Sequence, residues 1–236
     1  MAFKKYNATK DNTITNAFGI DISTRATGSN MGAADILEVF SLYGQQTTSS
    51  AELSRVLIQF PIDKISADRD AETIPASGSV RFMLKLTNAR HSEQLPRDFT
   101  FNVLAISQSW EEGYGLDMES YKDKTKDSII GSNWVMRSRS GSWGRPGGEY
   151  HTASYVAGTT MPQYKQQFYS GEENLFLDVT AAVEEWIAGT QQNYGFGVFL
   201  TSSFESYFSS STGQNTGSIL HNTDGQTTSY YTKRFF

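Results

Sequence analysis

The chain has 236 residues, is 38% hydrophobic and 13% aromatic, and carries a formal charge of −5. That is enough apolar material for one large all-β domain with its own core, while the acidic balance supplies no basic field for a nucleic-acid backbone. Cysteine is absent, which excludes disulfides, thiolate nucleophiles and cysteine-ligated zinc.

The N-terminal segment MAFKKYNATKDNT has lysines but no apolar stretch after them, so it does not read as a secretion signal. No run approaches membrane-spanning length, which predicts no membrane insertion. Residues from about 1 to 20 read as an extended arm. Short alternating runs follow: ILEVF (36–40), SRVLIQF (54–60), VRFMLKL (80–86), FTFNVLAI (99–106), NLFLDV (174–179), FGVFL (196–200) and SYYTKRFF (229–236). These are predicted strands. In VRFMLKL, Val80, Phe82, Leu84 and Leu86 face in, and Arg81, Met83 and Lys85 face out, as a sheet with one wet face requires.

Residues from about 113 to 170 break this rhythm, which predicts edge strands and an excursion that covers one sheet or meets a partner. The segment 177–200, LDVTAAVEEWIAGTQQNYGFGVFL, reads as a strand end, one short helix at about 179–188, a glycine stop and a second strand. Asp178 or Thr180 caps the helix, and Val179, Val183, Trp186 and Ile187 share its apolar face. Gly189 supplies the left-handed stop, and Glu184 and Glu185 form the wet face. In the Ser/Thr/Gly-rich stretch 202–229, Phe204, Tyr207, Phe208 and Ile219 argue for partial order. The chain stops directly after a strand-like run, so continuation beyond Phe236 is left open. The reading is a single domain over 1–236, an antiparallel two-sheet jelly-roll sandwich with one short helix and a long irregular insertion.

Little points to catalysis. His91, His151 and His221 lie far apart in polar surroundings and read as loop histidines. Gly141-Ser142-Trp143-Gly144 falls one residue short of a nucleophile elbow. The pairs Glu111-Glu112, Glu172-Glu173 and Glu184-Glu185 diverge on either a strand or a helix, so none is a ready-made hydrolytic pair, and no enzyme is expected. The Gly144–Gly148 cluster lacks the frame of a phosphate loop. No cofactor is implied. Turn aspartates such as Asp117, Asp123, Asp127 and Asp224 suggest structural calcium at most, without EF-hand spacing. Trp110 and Trp186 read as core. Trp134, Trp143, Tyr150, Tyr155 and Tyr164 fall in the irregular region, where packing is the default and contact with a glycan or a protein partner is the functional alternative.

Five landmarks in order carry a resemblance: Asn30 to Val39 (NMGAADILEV), Arg55 to Phe60 (RVLIQF), Trp110-Glu111-Glu112, LDVTAAVEEWIAG, and Asn193-Tyr194-Gly195-Phe196. Together they resemble the DNRLRE-type β-sandwich family, whose members look like non-catalytic carbohydrate-binding modules with a jelly-roll fold. The chain departs from secreted members in its N-terminus and in the insertion between Gly113 and Ser170. WEEGYGLDM, SNW at 132–134, LTSSFESYFSSSTG, GSILHN and SYYTKRFF are similar to virion structural proteins of marine tailed bacteriophages. The resemblance implies localisation in the virion, as a capsid-decoration, neck or tail component present in multiple copies and contacting other virion proteins. The alternative it implies is a module that grips a host-surface or polymeric glycan.

Overall fold

The computed structural model describes residues 3–19, 23–43, 52–90, 96–116, 131–205, 207–209, 214–216 and 229–236. The strands are β1 (Lys10–Thr15), β2 (Leu37–Tyr43), β3 (Glu52–Gln59), β4 (Met83–Leu86), β5 (Phe99–Ala105), β6 (Gln163–Phe168), β7 (Leu175–Asp178), β8 (Phe196–Leu200), β9 (Tyr207–Ser209), β10 (Gln214–Thr216) and β11 (Ser229–Phe235). Two short helices accompany them among the described residues, α1 (Ile62–Asp70) and α2 (Thr180–Ile187). The protein is therefore all-β, and every pairing is antiparallel.

One curled sheet of seven strands runs β11-β2-β3-β8-β5-β6, with β1 also paired to β3; β4-β7 and β9-β10 are small two-stranded sheets. The curl has a local cause. Among the described residues β2 pairs with β3 only at Ser41–Leu53 and Leu42–Glu52, and toward the start of β2 side chains replace the ladder. The Phe40 amide donates to Ser54 Oγ (2.8 Å), that hydroxyl donates to the Glu38 carbonyl (2.8 Å), and the Glu38 amide donates to Thr13 Oγ1 (3.1 Å). β2 thus leaves the plane and carries β11 over the core. On its other side β11 meets the residues after β4: Asn88 bridges Phe235, the Ala89 amide donates to the Arg234 carbonyl (3.0 Å), and the Phe236 amide donates to the Thr87 carbonyl (2.9 Å). The result is sandwich-like.

The main core lies between these layers. Val56, Ile58, Phe99, Phe101, Val103, Phe196 and Val198 meet Leu37, Val39, Leu84, Leu86, Leu175 and Phe235. Each fully buried large side chain contributes about 1.5–3 kcal/mol. β4 keeps the expected alternation, with Leu84 and Leu86 buried and Met83 and Lys85 exposed. α2 lays Val183 and Trp186 on the same core, with the Asp178 carboxylate accepting the Thr180 amide (3.0 Å) at its start and Gly189 at φ +70° just past its end.

A second buried cluster covers the opposite face of the large sheet. Leu53 and Leu57 of β3, Ile14 of β1 and Ile106 meet Trp110, Trp134 and Trp143. Trp134 and Trp143, from the described residues after Gly131, cover this face, and β6 is an edge strand of the sheet.

Three expectations are corrected. The arm at about 1–20 is not free over its length, because Lys10–Thr15 is β1, whose Asn12, Thr13, Ile14 and Thr15 are buried on β3. The helix α1 was not foreseen, since only Ile62 and Ile65 of its residues are buried. Glu185 does not lie on a wet face of α2 but is buried.

Candidate functional site

The aromatics singled out in the irregular region do not assemble into one surface. Trp134 (8% exposed) and Trp143 (5% exposed) are core residues. The Trp143 indole N–H donates to the Asn133 carbonyl (2.9 Å), and the Trp134 amide donates to the Thr27 carbonyl (3.1 Å). Tyr150 packs on the same cluster, and its hydroxyl donates to the Gly147 carbonyl (2.9 Å). Tyr164 packs on the main core and accepts the Ala182 amide (3.1 Å), which positions α2. Burial pushes both the Tyr150 and the Tyr164 phenols up to about 12. Tyr155, by contrast, is 43% exposed.

Tyr155 stands at a groove of about 360 Å³ lined by Arg69 of α1, Ser77, and Ala181, Glu184, Glu185, Ile187 and Ala188 of α2 and its end. The sequence builds the groove from the divergence of adjacent helical carboxylates. Glu184 turns toward α1, where Arg69 grips it with two hydrogen bonds (2.7 and 2.8 Å). That pairing holds the Glu184 carboxyl below its ordinary range and the Arg69 guanidinium above its own. Glu185 turns toward the excursion. It accepts the Tyr155 hydroxyl (3.0 Å), the Gly158 amide (2.9 Å) and the Thr190 hydroxyl. The Thr190 hydroxyl, with the Gly158 and Tyr155 donors, holds the Glu185 carboxyl low against its burial. Each carboxylate is thus committed to a structural donor. The groove is lined by one exposed aromatic, engaged polar side chains and the apolar Ala181, Ile187 and Ala188.

The pair Glu111-Glu112 is committed in the same way. Glu112 accepts the Asp11 amide (2.9 Å) and Glu111 accepts the Arg139 amide (2.9 Å). Among the described residues no group of three or more His, Asp or Glu side chains is placed to hold a metal ion. The aspartates that suggested calcium, Asp117, Asp123, Asp127 and Asp224, lie outside the described residues, as do His91 and His221. His151 is described, and burial lowers its pKa. No described helix is long and apolar enough to cross a membrane.

Two buried polar assemblies have no counterpart in the motif search. Asn30 donates to the Glu112 and Ser132 carbonyls and accepts the Gly32 and Gly115 amides. Asn12 joins it at Ser132 and accepts the Met31 amide (2.9 Å). The landmarks NMG, WEEG and SNW are therefore parts of one loop latch. Arg55 and Glu205 form a two-pronged ion pair (2.8 and 2.7 Å), with the guanidinium 4.7 Å from the centre of the Phe199 ring. The sequence signal for it was only an arginine inside an apolar strand.

A flatter feature lies on the outer face of the β4–β7 layer. Phe176 pairs across from Lys85, two residues from Met83, and Phe236 meets Thr87 of the neighbouring ladder. Met83, Phe176 and Phe236 are all exposed. None of the protein-family models, the curated proteins or the solved structures matches this chain.

Proposed function

We propose that this chain is a non-enzymatic structural protein of a tailed-phage virion, a jelly roll mounted on the particle's exterior and acting by association with neighbouring subunits. The jelly roll is supported by nested pairing. Setting β1, β9 and β10 aside, the eight remaining strands pair outermost to innermost as β2 with β11, β3 with β8, β4 with β7 and β5 with β6. That nesting is what a long antiparallel hairpin gives when it is rolled into two layers. The virion assignment rests on the sequence landmarks described above.

Association is supported by one observation: Met83 and Phe176 are exposed on one face of the β4–β7 pair, with Phe236 exposed just past the neighbouring β11, whereas the tryptophans are buried. A flat apolar face with scattered charge suits a protein neighbour better than a sugar ring. The test is cross-linking mass spectrometry on purified particles together with antibody labelling of intact ones. Cross-links from Lys85 to another virion protein are expected. Particles that lack the chain after stringent washing would refute the assignment.

The second reading, a carbohydrate-binding module, is favoured only by the Tyr155 groove. Replacing Trp134 and Trp143 would hollow the core rather than test it. Tyr155→Ala is the informative variant, because Tyr155 is exposed at the groove. Glycan retention lost in this variant with an unchanged melting transition would make sugar recognition the primary function.

A further inference from the structure

The chain places a lysine where a lysine is rarely found. Lys233 of β11 is 0% exposed. Its Nζ lies 5.4 Å from the ring centres of both Phe168 and Phe235. It donates to the Gly171 carbonyl (2.6 Å) and to Oδ1 of Asn88. The register explains the encounter. Asn88 bridges Phe235 on the adjacent strand, so Lys233 sits on the diagonal from Asn88, within reach of a long side chain. The Asn88 amide in turn donates to Asn174 Oδ1 (2.8 Å), which fixes its backbone.

We propose that Lys233 and Asn88 form an intramolecular isopeptide bond, closed by the folded protein itself. The neutral Nζ attacks Cγ of Asn88, a new C–N bond forms, the Cγ–Nδ2 bond breaks, and Nδ2 leaves as ammonia carrying the proton that Nζ gives up. A primary amine and a primary amide thereby become a secondary amide and ammonia, with no oxidant, reductant or further reactant. Holding the two groups in contact replaces a bimolecular encounter with an intramolecular one, which raises effective concentration by many orders of magnitude.

The surroundings suit each step. Burial pushes the Lys233 ammonium down to about 8, against the opposing pull of Glu173 and Glu172, so the nucleophilic free amine is accessible near neutral pH. Glu173, whose charge acts on Lys233, is the carboxylate assigned to relay the proton. Its Oε1 accepts the Tyr169 and Ser170 amides (2.9 and 2.8 Å), building the turn that presents the Gly171 carbonyl to Nζ, and its Oε2 is buried without a hydrogen-bond partner. The aromatic walls exclude the water that would otherwise compete with the amine.

Intact-mass spectrometry on the purified, denatured full chain is the test. The expected mass falls short of the sequence mass by one ammonia, and digestion yields a branched peptide joining the segments around residues 88 and 233. Lys233→Arg and Asn88→Ala should each restore the full sequence mass. Glu173→Gln keeps the Oε1 acceptor and the turn, and should slow bond formation at least tenfold while the circular dichroism spectrum stays unchanged. A folded wild-type chain that keeps its full mass after prolonged incubation would overturn the proposal. So would ammonia loss mapped to any other residue. An unchanged rate in the Glu173 variant would overturn the relay role assigned to that carboxylate.

Discussion

Removing one half of the Arg55–Glu205 pair should destabilise the fold far more than an ordinary ion pair would. The Arg55 side chain is 17% exposed and that of Glu205 is 10% exposed. Both carboxylate oxygens are engaged, the third guanidinium contact goes to the Gly147 carbonyl (2.9 Å), and the Phe199 ring closes over the charge. Burial works against the guanidinium charge, and Glu205 outweighs it, holding Arg55 above its ordinary range. In Glu205→Leu the cation stays buried without its counter-ion, a situation that costs about 3–5 kcal/mol. Adding Arg55→Met removes the stranded charge and leaves mainly a lost hydrogen bond to Gly147, worth about 0.5–1.5 kcal/mol. Equilibrium urea unfolding of the wild type, both single variants and the double variant closes the cycle. The double variant should be more stable than Glu205→Leu alone. A single-variant loss below about 1 kcal/mol, the range of exposed pairs, would refute the reasoning, and so would a double-variant loss equal to the sum of the singles.

Trp143→Ala should cost about 3–5 kcal/mol in the same assay, because it empties a buried site and orphans the Asn133 carbonyl; a loss under about 1 kcal/mol would mean that the excursion does not cap the sheet. Gly197→Ala would put a Cβ 2.0 Å from the Tyr150 ring, an overpacking cost of about 1–3 kcal/mol that Tyr150→Leu should partly relieve. Burial raises the Glu173 carboxyl, but hydrogen bonds from the Ser170, Glu173 and Tyr169 amides outweigh it and hold the group at about 2 against an ordinary 4.5. Because its folded pKa is the lower one, its contribution is fully present above pH 4.5 and is lost as pH falls toward 2. Glu173→Gln should therefore flatten that acid limb in pH-dependent unfolding, and an unchanged acid limb would show that the carboxylate carries no such linkage.

Most strands were legible because one face of each meets the core and alternation records that directly. β8 spans the run read from the sequence, and β3, β5 and β7 differ from it by a residue or two at either end. β1 was not legible. Its KDNTIT sequence buries Asn12, Thr13 and Thr15, whose hydrogen bonds satisfy them, and polarity patterns do not register satisfaction. α1 shows too few apolar residues for a periodic signal; the usable cues were Pro61 at its start and Asp63 in its first turn. The fates of Trp134, Trp143 and Glu185 were hidden for a different reason. Whether an aromatic or a carboxylate in an irregular segment faces solvent depends on which sheet face lacks another cover, a tertiary property with no local period. Lys233 and Asn88 lie 145 residues apart in sequence, so only the folded register brings them together.

That separation gives the proposed bond its thermodynamic weight. β11 stands at the end of the large sheet, paired to β2 along its length and bridged on its other side by Asn88 to Phe235, so releasing it breaks one ladder and that bridge and exposes Phe235. Without cysteine, no disulfide can clamp this strand. A bond from residue 233 to residue 88 closes a loop of 145 residues, and the chain-entropy relation for cross-links assigns such a loop about 5 kcal/mol of stabilisation through the unfolded state. That is comparable to the whole stability of many domains, about 5–15 kcal/mol. Chains separated before and after bond formation differ in no residue except at this junction, so the difference in their unfolding free energies isolates the loop contribution. Urea unfolding of the two fractions should show the closed form more stable by about 5 kcal/mol on that relation. A difference near zero would mean that strain at the junction cancels the entropic gain, and the bond would then fail as a clamp on the C-terminal strand.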